Sequence, residues 1–184
     1  MAKRSATVSS ICIECNGVLQ KQVKVTGPDQ HVGTIKVFGR PNIIFIFADD
    51  WGYGDLGIHG HPTATTPTID KMAAEGTDFT RFTVSNPVCS PSRAAVLTGQ
   101  VPARYSIHGH FASKAQNTQR GMPQWLTPNT TLMPRLFKDA GYKTGHFGKW
   151  HLVGYESFGS CPPVSDYGID EWAGWNGPNG GGSG

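Results

Sequence analysis

"NIIFIFADD", residues 42–50, is an unbroken apolar run of β-branched and aromatic residues that ends abruptly in two acids. Such runs, without polar alternation, mark strands buried on both faces, as in a parallel sheet covered by helices. The stretch therefore predicts an inner strand over 42–48 and an α/β domain. Asp49 and Asp50 then stand at the strand's carboxyl end, where ligands gather in such sheets.

The sequence on either side extends this reading. "TPTIDKMAAEG", 66–76, predicts a helix with Thr66 as N-cap, Pro67 in the first helical position, apolar residues at 69, 72 and 73, and Gly76 as the stop. "TDFTRFTV", 77–84, has strand composition, and "SPSRAAVLTG", 90–99, predicts a helix behind a serine cap with a terminal glycine. An irregular stretch over about 100–130 follows. "TLMPRLFKDAG", 131–141, predicts a helix with Pro134 in its first turn, and "YKTGHFGKW", 142–150, a further strand. Alternating strands and helices imply a parallel or mixed sheet flanked by helices.

The ends look different. Residues 1–40 offer only short alternations, "QVKV" and "TIKVF", and predict a small hairpin or a weakly structured extension. After Val153 the chain reads as loop, and 176–184, "NGPNGGGSG", as a glycine-rich tail. The expected division is an extension over 1–40, a catalytic-domain portion over 41–175 and a tail over 176–184.

The whole chain has 184 residues, 38% of them hydrophobic, which is enough for one domain with a real core. Its 24 glycines and 13 prolines imply many turns. A net charge of +3 with no run of Lys and Arg gives no reason to expect a nucleic-acid partner. Four cysteines, Cys12, Cys15, Cys89 and Cys161, do not make a disulfide framework. No stretch has the length of a transmembrane helix, no secretory leader is visible after "MAKRS", and localisation stays open.

Three places could carry chemistry. Asp49 and Asp50 can converge where the strand's pleat breaks, and two close carboxylates favour a hard divalent cation such as Ca²⁺ or Mg²⁺; solvated acids in a capped turn are the alternative. Cys89 precedes a helix start, where unpaired N–H groups favour an anion, with Arg93 one turn on; a buried structural cysteine is the alternative there. Lys149 and His151 flank Trp150, and in an extended segment residues two apart project to the same side. The His59/His61 and His108/His110 pairs lack evident third and fourth zinc ligands.

"CSPSRAAVLTG", 89–99, resembles the C-x-P-S-R-x-x-x-L-T-G signature of the type I, formylglycine-dependent sulfatases of the alkaline phosphatase superfamily. "PNIIFIFADDWGYGDLG", 41–57, is similar to that family's metal-binding strand, and "GYKTGHFGKWHL", 141–152, to its second signature. The resemblance covers about 41–152 and implies an alkaline-phosphatase-like α/β fold, of which this chain holds the N-terminal portion. It implies a sulfuric ester hydrolase acting on a sulfated carbohydrate or an aryl sulfate. An oxidase would read Cys89, Pro91 and Arg93 and convert Cys89 to formylglycine, whose hydrate attacks sulfur and then expels sulfate.

The same resemblance implies that Asp49, Asp50 and residue 89 hold Ca²⁺ or Mg²⁺. Arg93 steadies the diol, Lys149 binds sulfate oxygens, and His151 takes the diol's proton. "HLVG" here departs from the family's H-L-G. The family's remaining metal ligands, an Asp-Asn pair, with a second lysine and histidine, lie beyond the equivalent of position 184, so the isolated chain is expected to turn over little or no substrate. Formylglycine-dependent phosphonate monoester or phosphodiester hydrolysis, and a silent fragment that binds a sulfated ligand, are the alternatives. Family members are often periplasmic, secreted or lysosomal.

Overall fold

A computed structural model of the chain describes residues 40–155 and 160–175 in full, together with the backbone of short strands on either side of them. The chain falls into two compact units, Met1–Ala48 and Asp49–Gly184.

The first unit carries β1 (Thr7–Ser10), β2 (Glu14–Cys15), β3 (Val18–Leu19), β4 (Lys24–Thr26) and β5 (Val32–Thr34). β4 pairs antiparallel with both β1 and β5, and β2 pairs antiparallel with β3; of the alternations "QVKV" and "TIKVF", residues 22–23 and 35–38 lie outside the described residues. Of the two cysteines near the N-terminus, Cys15 lies in β2 and Cys12 lies outside the described residues.

The inner strand expected over 42–48 is not formed. Residues 40–48 have no regular structure, and Ile44 and Ile46 are 87% and 75% exposed. A strand apolar on both faces is buried only where neighbouring strands pair with it and helices cover it. None of the described strands pairs with this segment.

The second unit opens with two turns of 3₁₀ helix, Tyr53–Asp55 and Gly57–His59, followed by α1 (Pro67–Glu75). Pro67 and Gly76 bound α1 as the sequence predicts. Thr66 holds the N-cap position as expected, but its hydroxyl makes no capping bond: it donates to Asp70 Oδ1 at 2.7 Å and accepts the Gly57 N–H at 2.8 Å. The strand expected over 77–84 is instead a turn, closed by Phe82 N–H to the Phe79 carbonyl at 3.0 Å, with both rings more than 70% exposed.

α2 (Cys89–Thr98) ends at Gly99, whose φ of 66° is the left-handed conformation a helix stop favours. The stretch read as irregular contains a 3₁₀ turn, Pro102–Tyr105, and α3 (Lys114–Gln119), capped by Ser113. α4 (Met133–Asp139) keeps Pro134 in its first turn as predicted.

β6 (Gly145–Lys149) pairs in parallel with β7 (Glu171–Trp175), and β7 pairs antiparallel with β8 (Gly181–Ser183). The mixed sheet is thus real, although β7 and β8 lie where the sequence reads as loop and tail. Gly148 and Gly174 face each other across the parallel ladder, and a Cβ at 174 would run into the Gly148 carbonyl.

Buried residues form one hydrophobic cluster. Ile107, Phe111, Leu126, Leu132, Trp150 and Tyr167 are essentially fully buried. Each such side chain contributes about 1.5–3 kcal/mol by leaving water. Trp150 and Tyr167 meet edge to face with centroids 5.0 Å apart, and the Tyr167 hydroxyl donates to the Leu126 carbonyl at 2.7 Å. Val153, the residue that interrupts the family's H-L-G, is fully buried in this core and bridges to Trp125.

Two ionic clips tie the periphery. Lys138 Nζ lies 2.7 Å from Asp170 Oδ1 and holds that carboxyl down to about 2, helped by the Thr144 N–H. His59 Nδ1 lies 2.7 Å from the Tyr53 carbonyl oxygen and Nε2 3.0 Å from Asp78 Oδ2. Both partners are acceptors, so both ring nitrogens donate only in the imidazolium. Asp78 first, and Tyr53 second, raise the His59 pKa above its usual 6.5.

Because the folded-state pKa of His59 is raised, its stabilisation is fully present below the unfolded value of 6.5 and is lost as pH rises through the folded value. The difference in unfolding free energy between the native chain and His59→Asn, measured by urea titration, is expected to shrink from mildly acidic to mildly alkaline pH. Gly174→Ala is expected to cost at least about 1–3 kcal/mol, the range for overpacking a tight contact, in the same assay.

Candidate functional site

The cluster is assembled at the start of α2. Asn86 Oδ1 accepts the Val88 N–H at 2.8 Å and turns the chain into the helix, so that Cys89 is its first residue. Ser90, expected as the cap, sits inside the first turn, and its hydroxyl accepts the Phe111 N–H at 2.9 Å.

One turn on, Arg93 is 8% exposed and reaches two acceptors from different segments. Nη1 donates to the Lys149 carbonyl at 2.6 Å and Nη2 to Asp49 Oδ1 at 3.2 Å. Lys149, the last residue of β6, places Nζ 2.6 Å from Asp49 Oδ2 and 3.2 Å from Cys89 Sγ. The Asp49 carboxylate is therefore shared between two cations, one on each oxygen.

The titration of this group follows from that geometry. Burial pushes the Asp49 carboxyl up, but its bonds to Lys149 and Arg93 outweigh burial and hold it below the usual range. Burial likewise pushes Lys149 down, and its bonds to Asp49 and the Cys89 sulfur carry it above the usual range. Both partners shift toward their charged forms.

Asp50 completes the group. A ligand atom from each of Asp49, Asp50 and Cys89 lies within 4.8 Å of the other two, and both acids are exposed. The backbone of Asp50 is left-handed, with φ 55°. That conformation turns the chain after Asp49 and allows adjacent acids to converge.

His151 is placed differently from the expectation. β6 ends at Lys149, and His151 has φ 49°, so the same-side rule for extended residues does not reach it. Its ring is 5% exposed, with Nε2 2.9 Å from the Phe111 carbonyl oxygen. The His110 and Tyr155 rings flank it at centroid distances of 6.3 and 6.0 Å. Burial is the main cause that keeps His151 below the usual histidine range, and the charges of Lys149, His110 and Arg93 add to it.

Three of the four histidines in the pairs without evident further zinc ligands make other hydrogen bonds, His59 among them. His61 Nδ1 accepts the Ala64 N–H at 2.7 Å, and His108 Nε2 meets the Arg120 carbonyl at 3.0 Å. Sequence reasoning read Ser90 only as a helix cap and gave the Phe111 main chain no part, because a backbone group leaves no residue-type signal. No helix among the described residues is long and apolar enough to cross a membrane.

The family model described as Sulfatase matches residues 41–180. The N-acetylgalactosamine-6-sulfatase of Sus scrofa is 45% identical over 139 residues, covering 73% of this chain and 25% of that protein. Arylsulfatase A of Homo sapiens is 47% identical over 113 residues, covering 61% of this chain and 21% of that protein. The solved structure of BT4656 in complex with its substrate D-glucosamine-2-N,6-O-disulfate aligns with a TM-score of 0.57 and 30% identity, over 75% of this chain and 24% of that one.

The chain thus spans about a quarter of the length of the curated relatives it matches. With a family match running from just before the paired acids to the third strand of the mixed sheet, and with the alkaline-phosphatase-like α/β fold shared by its structural neighbours, the chain belongs to the sulfatase family.

Proposed function

We propose that this chain supplies the nucleophile and part of the sulfate-binding site of a sulfuric ester hydrolase acting on a sulfated carbohydrate or an aryl sulfate. The observation that carries the reading is the meeting of Cys89 with Lys149 and the Asp49–Asp50 pair, drawn from three separate segments. An anionic ester next to Cys89 faces the Lys149 ammonium and the first N–H groups of α2, where the helix dipole favours negative charge. Relatives named for N-acetylgalactosamine-6-sulfate and a neighbour solved with a disulfated glucosamine support a sulfated sugar.

The donor set at the acids fits a hard divalent cation. Two carboxylates converge there, and such ions take oxygen ligands. The thiol as it stands suits softer metals. Conversion of Cys89 to formylglycine by a generating oxidase, followed by hydration, would replace sulfur with oxygen. All three positions would then fit Ca²⁺ or Mg²⁺, which would polarise the sulfate and orient the diol.

Hydrated formylglycine would supply one hydroxyl to attack sulfur and a second whose deprotonation expels sulfate and restores the aldehyde. Lys149 binds sulfate oxygens as the leaving alcohol departs. Arg93 holds Asp49 and the end of β6 in register. His151, kept neutral by burial, takes the proton released in the elimination.

Intact mass of the tryptic peptide spanning 82–93, after co-expression with a formylglycine-generating oxidase, is expected to fall by about 18 Da, the thiol-to-aldehyde change of cysteine oxidation. An unmodified thiol would remove the nucleophile from this reading. Asp49→Asn and Asp50→Asn are each expected to weaken Ca²⁺ binding in calorimetry at least about tenfold, the scale on which ligand charge tunes such sites; unchanged affinity would place the ion elsewhere.

A further inference from the structure

Ser90 is fully buried and lies next to Cys89 in the first turn of α2. Its hydroxyl accepts the Phe111 N–H at 2.9 Å, and the carbonyl of the same residue lies 2.9 Å from His151 Nε2. One residue of the 107–113 segment is therefore held from both sides. A carbonyl oxygen has lone pairs and no proton, so Nε2 must donate to it. A neutral imidazole carries a single proton, and the hydrogen bond made by one nitrogen decides the state of the other.

The other nitrogen is the informative one. His151 Nδ1 is buried and has no hydrogen-bond partner among the described residues. An unsatisfied polar atom in the interior is costly and calls for an explanation. The left-handed backbone at His151 is a second local cost carried by the same residue. Both costs make sense if the ring is held to keep Nδ1 bare.

We propose that Ser90 is a positioning residue: through the Phe111 main chain it locks His151 in the Nε2–H tautomer, leaving Nδ1 as the nitrogen that takes the proton. The inference rests on the reading above only in giving His151 a proton to take. The tautomer and its dependence on Ser90 follow from the hydrogen bonds alone. His110 and Tyr155 flank the ring without supplying a partner to Nδ1, so they do not set the tautomer.

The experiment is ¹⁵N NMR of the histidine ring nitrogens in the full chain at neutral pH, with no metal, substrate or cysteine conversion needed. The native chain is expected to show a protonated-type Nε2 and an unprotonated-type Nδ1 at His151. Ser90→Ala is expected to replace this pattern by a mixture of tautomers and to speed Phe111 amide exchange about tenfold or more, the scale of one lost hydrogen bond. Ser90→Thr, which keeps the hydroxyl, is expected to restore both.

An Nδ1–H tautomer in the native chain overturns the proposal, and a native pattern in folded Ser90→Ala overturns the role of Ser90. Should Ser90→Ala fail to fold, an unprotected Phe111 amide or a mixed tautomer in the native chain or in Ser90→Thr overturns it equally. A chain whose Cys89 resists conversion but whose His151 shows the expected pattern defeats the proposed function while leaving this inference standing.

Discussion

The charge balance at Asp49 organises the site. A single carboxylate takes Arg93 on one oxygen and Lys149 on the other, and Arg93 spends its second amino group on the Lys149 carbonyl. The three residues form a closed ring that fixes the α2 start, the β6 end and the acidic turn relative to one another. Arg93 is nearly buried, and a guanidinium in that position needs its acceptors; loss of any one leaves a costly unpaired group. The ring also explains why Cys89 meets an ammonium: Lys149 is aimed at Asp49, and the thiol lies beside that line.

Local backbone strain is concentrated in the same place. Of the three described non-glycine residues with left-handed backbones, Asp50 belongs to the cluster, His151 follows two positions after Lys149, and Ser106 ends a 3₁₀ turn. Each left-handed residue costs on the order of 1–3 kcal/mol and persists only where its surroundings over-determine it. For His151 those surroundings are the core itself: Trp150 before it and Leu152 and Val153 after it are all essentially buried.

How much was legible in the sequence depended on whether the signal was local. The bounds of α1 and the end of α2 were readable from Pro67, Gly76 and Gly99, because those residues act through their own backbone. β6 was readable from its composition. The run over 42–48 misled because a doubly buried strand is a property of its neighbours, and no described strand pairs with it. "EWAGW" was overlooked because Gly174 weakens its strand pattern; that glycine is what allows β7 to approach β6. At the site, residue types named Asp49, Asp50, Cys89, Arg93, Lys149 and His151, whereas the bonds through the Phe111 main chain were invisible.

The ring around Asp49 also has a bearing on folding order. Its bonds close chain separations of 44, 56 and 100 residues, and the Ser90–Phe111–His151 chain closes 21 and 40. Loop-closure entropy makes long separations slow to form and, without a large buried area behind them, early to open. The Phe111 links lie inside the core and are secured when it condenses, while the Asp49 and Asp50 side chains are exposed and Asp49 is held by ionic hydrogen bonds. The acidic turn is thus the last piece of the site to be set and the first to loosen, and local opening there can disarm the surroundings of Cys89 while the helix that bears it stays folded.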